Sequence, residues 1–414
     1  VATIRVLDGK AIVLGVTGSI ACYKSIDLAS KLTQAGAHVD VLLTEAAQKF
    51  VTPLAFRSVT GRAVYTDLWD ADGSGGLPTH IAHIGLAESA ELIIIAPATV
   101  QHIAKLAHGF ADDLLSMTVL GARCPLLIAP AGDGYLLDNP AVLANLAILS
   151  ERGVQIIEPE MGRHASGMVG RGRLPETAAL IGEVRYALGK QSGLLRGRRV
   201  MVTAGGTRES IDPVRFITNR SSGKQGYAVA QAALDAGAHV TLISTPTGLP
   251  TPTGATLIEV ESAADMQEAV LSRIDKTDAL IMAAAVADYR ASEIADHKIK
   301  KNNSDMSLAL TRTPDILLTV GTHRSETGYP RVLVGFAAET EDLLRNAQSK
   351  LERKHADFMV ANDVTAPDVG FGADLNSVTI LSASGTSLAM DHQSKAAISE
   401  TIIEQIAEHL AQRY

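Results

Sequence analysis

Short apolar runs recur along the chain, and each ends in small residues. Ala11 to Gly15 reads AIVLG, Val39 to Thr44 reads VDVLLT, Glu91 to Ala98 reads ELIIIAPA and Asp278 to Ala285 reads DALIMAAA. Val200 to Thr203 and Val240 to Ser244 have the same character. Continuous apolar runs of this length predict strands buried on both faces. Helix-length segments such as Ala21 to Gln34 separate them. Alternating strand and helix predicts a parallel sheet covered by helices.

The pattern is written twice. Ala35 to Val39 and Ala236 to Val240 share the word AGAHV, each leading into a strand. The runs at Glu91–Ala98 and Asp278–Ala285 correspond in position and pattern. The polar, glycine-rich stretch 189–197 predicts a linker between a domain at 1–188 and one at 198–414. Met161 to Arg173 reads MGRHASGMVGRGR, which predicts a mobile flap inside the first domain. Residues 289–303 form a further irregular, polar stretch ending in a lysine cluster.

Composition narrows the picture. A length of 414 residues predicts two or three domains. Aromatics are only 4% of the chain, so alanine, valine and isoleucine must fill the core, as in buried parallel sheets. Two cysteines, Cys22 and Cys124, exclude a disulfide framework and fit a reducing cytoplasm. No signal peptide or membrane-spanning run is expected. A net charge of −8 disfavours nucleic acid, so an anionic ligand needs local cations.

Val200 to Ile243 holds the densest chemistry. A strand meets Ala204-Gly205-Gly206-Thr207, a polar loop carries Arg215, Asn219, Arg220 and Lys224, and Ser222 to Gly226 opens a helix. Strand, glycine loop and helix N-terminus is a layout that holds phosphate. The spacing is not G-x-G-x-x-G, which argues for a nucleotide site with chemistry in the loop rather than a nicotinamide dehydrogenase. Further cations follow at Lys298, Lys300, Lys301, Lys350 and Lys354. Together they suit a triphosphate plus a second anionic substrate. Lys350 and Lys354 also fit a plain solvated helix.

In the first domain, Gly15 to Lys24 opens a helix directly after a strand. Its backbone N–H groups at Gly18 and the hydroxyls of Thr17 and Ser19 suit one phosphate, which points to FMN better than NAD. A purely structural turn is the competing reading. Thr44 and the pair Ala98-Thr99 put small polar residues where a flavin ring would lie.

These words carry a resemblance. VTAGGTRESIDPVRFITNRSSGKQG, AAAVADYR, KIKK, GFAAET and KLERK…AND cover most of 200–363. The second domain resembles phosphopantothenate–cysteine ligases. The whole chain resembles the bacterial bifunctional coenzyme A biosynthesis proteins, which add a phosphopantothenoylcysteine decarboxylase. The resemblance implies that CTP activates 4′-phosphopantothenate as an acyl-cytidylate, with release of pyrophosphate. Cysteine then displaces CMP. It implies that Asn219 acts in conversion of that intermediate and Lys298 in its formation. It assigns the CTP site to Asp288, Lys298, Phe336, Lys350 and Lys354, with Met282, Ala283, Ala284, Pro314, Asp315, Ile316 and Leu317 beside them. Arg215 is expected on substrate. Mg2+ or another divalent cation is expected with CTP, and no protein metal cluster is assigned.

The words GVTGSIA, AHIG, APAT and ADDLL carry the flavin-domain resemblance across roughly 10–118. It implies FMN and a base at His83, with His80 nearby as a competitor. The flavin oxidises the cysteinyl thiol to a thioaldehyde, CO2 leaves, and the electrons return with a proton. Two words depart from the family. Pro-Ala-Met-Asn, which grips the substrate carboxylate, is here Pro130-Ala131-Gly132-Asp133, so an acid, Asp133, faces an acid. Ala-Cys-Gly is here Ala165-Ser166-Gly167, and the Ser166 hydroxyl is a far weaker acid than a thiol. Either another donor, such as His164, serves the second half-reaction, or the domain stalls at the oxidised product. The alternative is a working ligase whose FMN-binding half serves as an oligomerisation scaffold. The expected architecture is α/β, with two Rossmann-like or flavodoxin-like three-layer domains and mostly parallel sheets. Trimeric decarboxylase and dimeric ligase contacts are implied, in a cytoplasmic homo-oligomer acting on small molecules.

Overall fold

Strand and helix alternate in both halves, and the computed structural model describes this for residues 4–69, 81–163, 167–300, 306–339, 343–363 and 373–413. Side chains at 338, 339, 343 and 363 are outside the description. The chain divides into two units, Val1–Leu188 and Gly189–Tyr414.

The first unit runs β1 (Ala11–Val16), α1 (Cys22–Gln34), β2 (His38–Leu43), α2 (Pro53–Thr60), β3 (Val64–Tyr65), α3 (Ala82–Ser89), β4 (Leu92–Ala98), α4 (Val100–His108) and α5 (Leu114–Gly121). It continues with β5 (Leu126–Pro130), α6 (Gly134–Leu137), α7 (Pro140–Glu151), β6 (Gln155–Ile156), β7 (Glu160–Arg163), β8 (Val169–Arg173) and α8 (Thr177–Ser192). The main sheet has the order β3-β2-β1-β4-β5-β6 and is parallel throughout. Successive side chains of a strand point to opposite faces. Here both faces are buried. Ile12, Leu14 and Ile94 pack with Leu28, Leu32 and Leu180 in one core. Val13, Ile93 and Ile95 pack with Leu86, Leu106 and Leu115 in the other. Two cores around one sheet are the three layers expected from unbroken apolar strands.

The second unit runs β9 (Arg199–Ala204), β10 (Arg208–Ser210), β11 (Phe216–Thr218), α9 (Lys224–Asp235), β12 (His239–Ser244), β13 (Thr256–Glu259), α10 (Ala263–Leu271), β14 (Ala279–Met282) and β15 (Tyr289–Ala291). It continues with β16 (Leu310–Arg312), α11 (Ile316–Thr327), β17 (Val332–Glu339), α12 (Leu343–Arg353), β18 (Phe358–Asp363), β19 (Leu375–Ser382), β20 (Ser387–Ser394) and α13 (Lys395–Arg413). Its sheet is β13-β12-β9-β14-β17-β18-β19-β20, parallel as far as β18 and antiparallel beyond. The first six strands repeat the order of the other unit. The shared word AGAHV precedes the second strand in both, and the matched apolar runs form the fourth strand in both.

Three expected loops have more structure than the sequence suggested. Helix α8 reaches Ser192, inside the stretch read as a linker. Beyond it, the Leu195 N–H donates to the Ala236 carbonyl at 2.7 Å. The flap at 161–173 contains most of an antiparallel pair, β7 and β8; residues 164–166 lie outside the described residues. The irregular stretch after Asp288 starts with β15, which pairs with β16. Among the described residues no helix is long and apolar enough to cross a membrane.

Gly226 shows how closely the second unit packs. A Cβ there would lie 2.6 Å from the Ala204 Cβ and 2.9 Å from the Thr203 carbonyl oxygen. A Cβ at Gly132 would find nothing nearer than 3.9 Å. Gly226→Ala is therefore expected to destabilise its unit by about 1–3 kcal/mol, read as an earlier thermal transition. Gly132→Ala should leave the transition where it is.

Candidate functional site

In the second unit the chain steps outward from β9 in both directions: β12 and β13 lie on one side, β14 and β17 on the other. In an open α/β sheet the crevice outside the carboxyl ends at such a point binds ligands. A cleft opens there. It is lined by Ser221 to Gly226 at the start of α9, Ala283 to Ala285 after β14, Phe336 and Ala337 on β17, and Asn362, Asn376 and Lys395. The first N–H groups of a helix have no intrahelical acceptor, and the dipole is positive there. Gly223, with φ of +76°, caps α9 and lets the backbone turn into the cleft.

The loop after β14 is Ala283 to Ala287 and has no polar side chain of its own to hold it. Hydrogen bonds from the neighbouring loop do so. The Thr203 hydroxyl accepts from the Ala284 N–H at 3.1 Å, and the Thr207 hydroxyl accepts from Ala287 at 2.9 Å. Ala285 N–H donates to the Gly205 carbonyl at 2.8 Å. Asn219 Nδ2 donates to the Val286 carbonyl at 3.0 Å. That contact anchors the exposed Asn219 side chain while leaving its second N–H and its carbonyl oxygen for a ligand.

Several expected site residues come together. Asp315 caps α11, accepting the Leu318 N–H at 3.1 Å through Oδ1. Its other oxygen takes the Lys354 ammonium. Burial pushes that ammonium down, and the Asp288 carboxylate pulls it back up. Thr313 ties this turn to the same loop, donating to the carbonyls of Ala287 and, at 3.0 Å, Asp288. Pro314 to Leu317 thus sit beside Asp288. Ile316 and Met282 are buried. Lys354 lies one residue beyond α12, in its closing turn rather than on the helix, and Lys350 is half-buried one turn earlier. The solvated-helix reading does not hold for the buried Lys354.

Other cations are already engaged. Lys224 pairs with Asp374 at 2.6 Å. Arg215, expected on substrate, instead directs its fork at the buried Asp212 and the Ile299 carbonyl. That guanidinium, with backbone N–H groups, holds the Asp212 carboxyl well below the usual carboxylate range. Lys298 is exposed and forms no ion pair among the described residues.

The sequence reading missed Gln225, Asn362, Asn376 and Lys395. Gln225 Oε1 and Asn362 Oδ1 are buried without a donor among the described residues. Two unmet acceptors in a cleft wall fit a ligand that brings N–H or O–H groups. Asn362 stands at the carboxyl end of β18, where the strand-end rule could have found it. Asn376 and Lys395 arrive from the antiparallel edge and the final helix, which no local motif announces.

In the first unit the equivalent crevice lies between β1 and β4. The N–H groups of Gly18, Ser19 and Ile20 have no hydrogen-bond acceptor among the described residues, which suits an anion. A Cβ at Gly18 would lie 2.5 Å from the Ala46 Cβ, so glycine brings the two loops together. Ser19 accepts from the Ala21 N–H at 3.2 Å. The Thr17 hydroxyl is not open to phosphate. It is buried, donates to the Pro97 carbonyl at 2.8 Å and accepts the Thr99 N–H at 2.9 Å. Thr44 braces its own turn, accepting from Ala47 at 3.3 Å. Ala98 is buried at the end of β4, and the Thr99 side chain leaves α4 uncapped.

A helix that precedes a parallel strand starts at the carboxyl edge of the sheet. His83, in the first turn of α3, therefore stands at the same edge as these loops. His80 lies outside the described residues, as do Ser166 and His164. Asp133 follows β5 and caps α6, accepting the Tyr135 N–H at 3.2 Å. The base of the hairpin packs on this turn, with the Gly132 N–H on the Gly172 carbonyl at 3.0 Å. The Cys22 thiol is buried and donates to the Thr17 carbonyl, and burial pushes its pKa up.

Family models agree with both halves. The model described as Flavoprotein matches residues 2–188. The model described as DNA/pantothenate metabolism flavoprotein C-terminal domain matches 195–410. The coenzyme A biosynthesis bifunctional protein CoaBC of Bacillus subtilis (strain 168) is 47% identical over 404 residues, covering 97% of each chain. Its counterpart in Vibrio vulnificus (strain YJ016) is 42% identical over 404 residues, 97% of this chain and 98% of that one. The crystal structure of the C-terminal domain of a CoaBC protein is 40% identical, covers 53% of this chain and 100% of that one, and gives a TM-score of 0.46. The chain belongs to the family of bifunctional coenzyme A biosynthesis proteins, with a flavoprotein domain ahead of the DNA/pantothenate metabolism C-terminal domain.

Proposed function

We propose that residues 198–414 join 4′-phosphopantothenate to cysteine at the expense of CTP, and that residues 1–188 decarboxylate the product with FMN. The cleft at the carboxyl ends of β9, β14 and β17 carries the first reading, since it combines a helix N-terminus, Lys224 and Lys395, and two acceptors with no donor among the described residues. Family membership supports both readings.

A carboxylate is a poor electrophile and has no leaving group. In the proposed reaction its oxygen attacks the α-phosphorus of CTP and pyrophosphate departs. The amine of cysteine then attacks the acyl carbon of the acyl-cytidylate, and CMP departs. Lys298, Lys350 and Lys354 offset phosphate charge. The backbone at Met282, Ala283 and Ala284 and the turn from Pro314 to Leu317 frame the nucleotide, with Phe336 on the cleft wall. Asn219 has a free N–H for the developing oxyanion and a carbonyl oxygen for the amine. Among the described residues no three His, Cys, Asp or Glu side chains cluster to hold a metal. A divalent cation, when present, would enter on the triphosphate, with Asp288 the exposed carboxylate at hand.

In the first unit the orphan N–H groups at Gly18 and Ser19 would hold the FMN phosphate, and Thr99 would face the ring. FMN supplies a two-electron acceptor when bound. His83 takes the proton that substrate oxidation releases. Asp133, which caps α6, is the weaker partner for a substrate carboxylate than the family's amide, since it brings an acid to an acid. Exposed Ile20, Tyr23, Phe50 and Leu54 on this unit support a homo-oligomer. The alternative, a mere scaffold, is not favoured by full-length relatives named as bifunctional.

The ligase reading predicts pyrophosphate release that requires both CTP and 4′-phosphopantothenate. Lys298→Ala should slow that step, while Asn219→Ala should spare it and slow cysteine-dependent CMP release by on the order of 10²–10³-fold. Release that ignores CTP would sink the reading. The decarboxylase reading predicts CO2 and 4′-phosphopantetheine from phosphopantothenoylcysteine on the FMN-loaded protein. Ser166→Cys should raise the yield of reduced product, by up to about 10²-fold if the general acid is what limits it. FMN binding with no turnover in either protein would leave only the scaffold.

A further inference from the structure

Asp212 is the most enclosed acid near the proposed ligase site. Its side chain is fully buried against Arg215. One oxygen accepts the N–H groups of Val214 and Arg215 at 2.8 and 2.9 Å. The other accepts Arg215 Nε at 2.9 Å, Arg215 Nη2, and the N–H of Ile299 at 3.1 Å. Arg215 Nη2 also donates to the Ile299 carbonyl at 2.8 Å. Both peptide groups of Ile299 are thereby held. The first joins it to Lys298, the second to Lys300. A further bond, from Ala295 N–H to the Ile211 carbonyl at 3.0 Å, ties the same loop to the same turn.

This turn is the tip of the β10–β11 hairpin, whose second strand ends one residue before Asn219. The hairpin therefore carries Asn219 at one end and grips the lysine loop at the other. The loop has no regular secondary structure between Ser292 and Lys300, so it depends on such contacts for its position.

We propose that Asp212, acting with Arg215, is a positioning residue that sets the Lys298 backbone for acyl-cytidylate formation, and that Arg215 serves this clamp rather than touching substrate. The proposal rests on the role given to Lys298 above. A displacement of a reacting group by about 1 Å costs on the order of 10²-fold in rate. A clamp that acts only through Lys298 has no effect left once that side chain is gone.

The test is a double-mutant cycle on the full chain, reading pyrophosphate release from CTP and 4′-phosphopantothenate. Asp212→Ala and Lys298→Ala should each lower kcat by on the order of 10²-fold, and the double variant should fall no more than about threefold below Lys298→Ala. Losses that multiply, or an Asp212→Ala variant at the wild-type rate, would overturn the proposal. If Asp212→Ala does not fold, Arg215→Lys keeps the charge, loses the fork and completes the same cycle. A Lys298→Ala variant at the wild-type rate overturns the role of Lys298, and the proposal with it. That failure shows in the single variant alone, so it is distinct from failure of the clamp.

Discussion

Threonine hydroxyls lace the first strand of each unit to the fourth, and both crevices depend on that lacing. Parallel strands all end at one edge, where their backbone groups lose sheet partners. An unpaired buried N–H or C=O costs free energy. In the first unit Thr17 takes the Pro97 carbonyl and the Thr99 N–H. In the second, Thr203 and Thr207 take the Ala284 and Ala287 N–H groups. The crevice at each switch point is thus given walls of fixed separation. A valine at any of these positions keeps the shape but takes the acceptor from an N–H, at Thr207 a buried one.

On that frame the two sites diverge. The second gathers charge in pairs: Lys354 with Asp315, Lys224 with Asp374, Arg215 with Asp212. A chain with net charge −8 cannot attract a triphosphate by its overall field. The carboxylate of each pair holds its cation in place. The first unit offers mainly backbone N–H groups, which suits a single phosphate.

Much of the architecture was legible in the residues. Unbroken apolar runs announced strands covered on both sides, and the duplicated AGAHV marked the second strand of each sheet. Reading side-chain roles was harder. Thr17 sits in a phosphate-type loop, yet its hydroxyl faces inward, because the strand ends on either side need it. Arg215 lies in a cationic loop, yet Asp212 captures it three residues away. A motif shows which donors exist, but not which buried acceptor competes for them.

The sequence by itself determined the strand and helix order, the glycine-opened helix and the crowding of cations at strand ends. These are local: they follow from periodicity, from glycine's freedom at φ of +76° in Gly223, and from capping chemistry. Tertiary structure alone decided that Lys395 and Asn376 join the cleft, that Lys354 is buried against Asp315, and that Ile299 is held by Asp212. Those partners lie 39 and 87 residues apart in the last two cases. Contacts over such separations depend on how the sheet closes and which charges must then be neutralised, and no run of neighbouring residues records that.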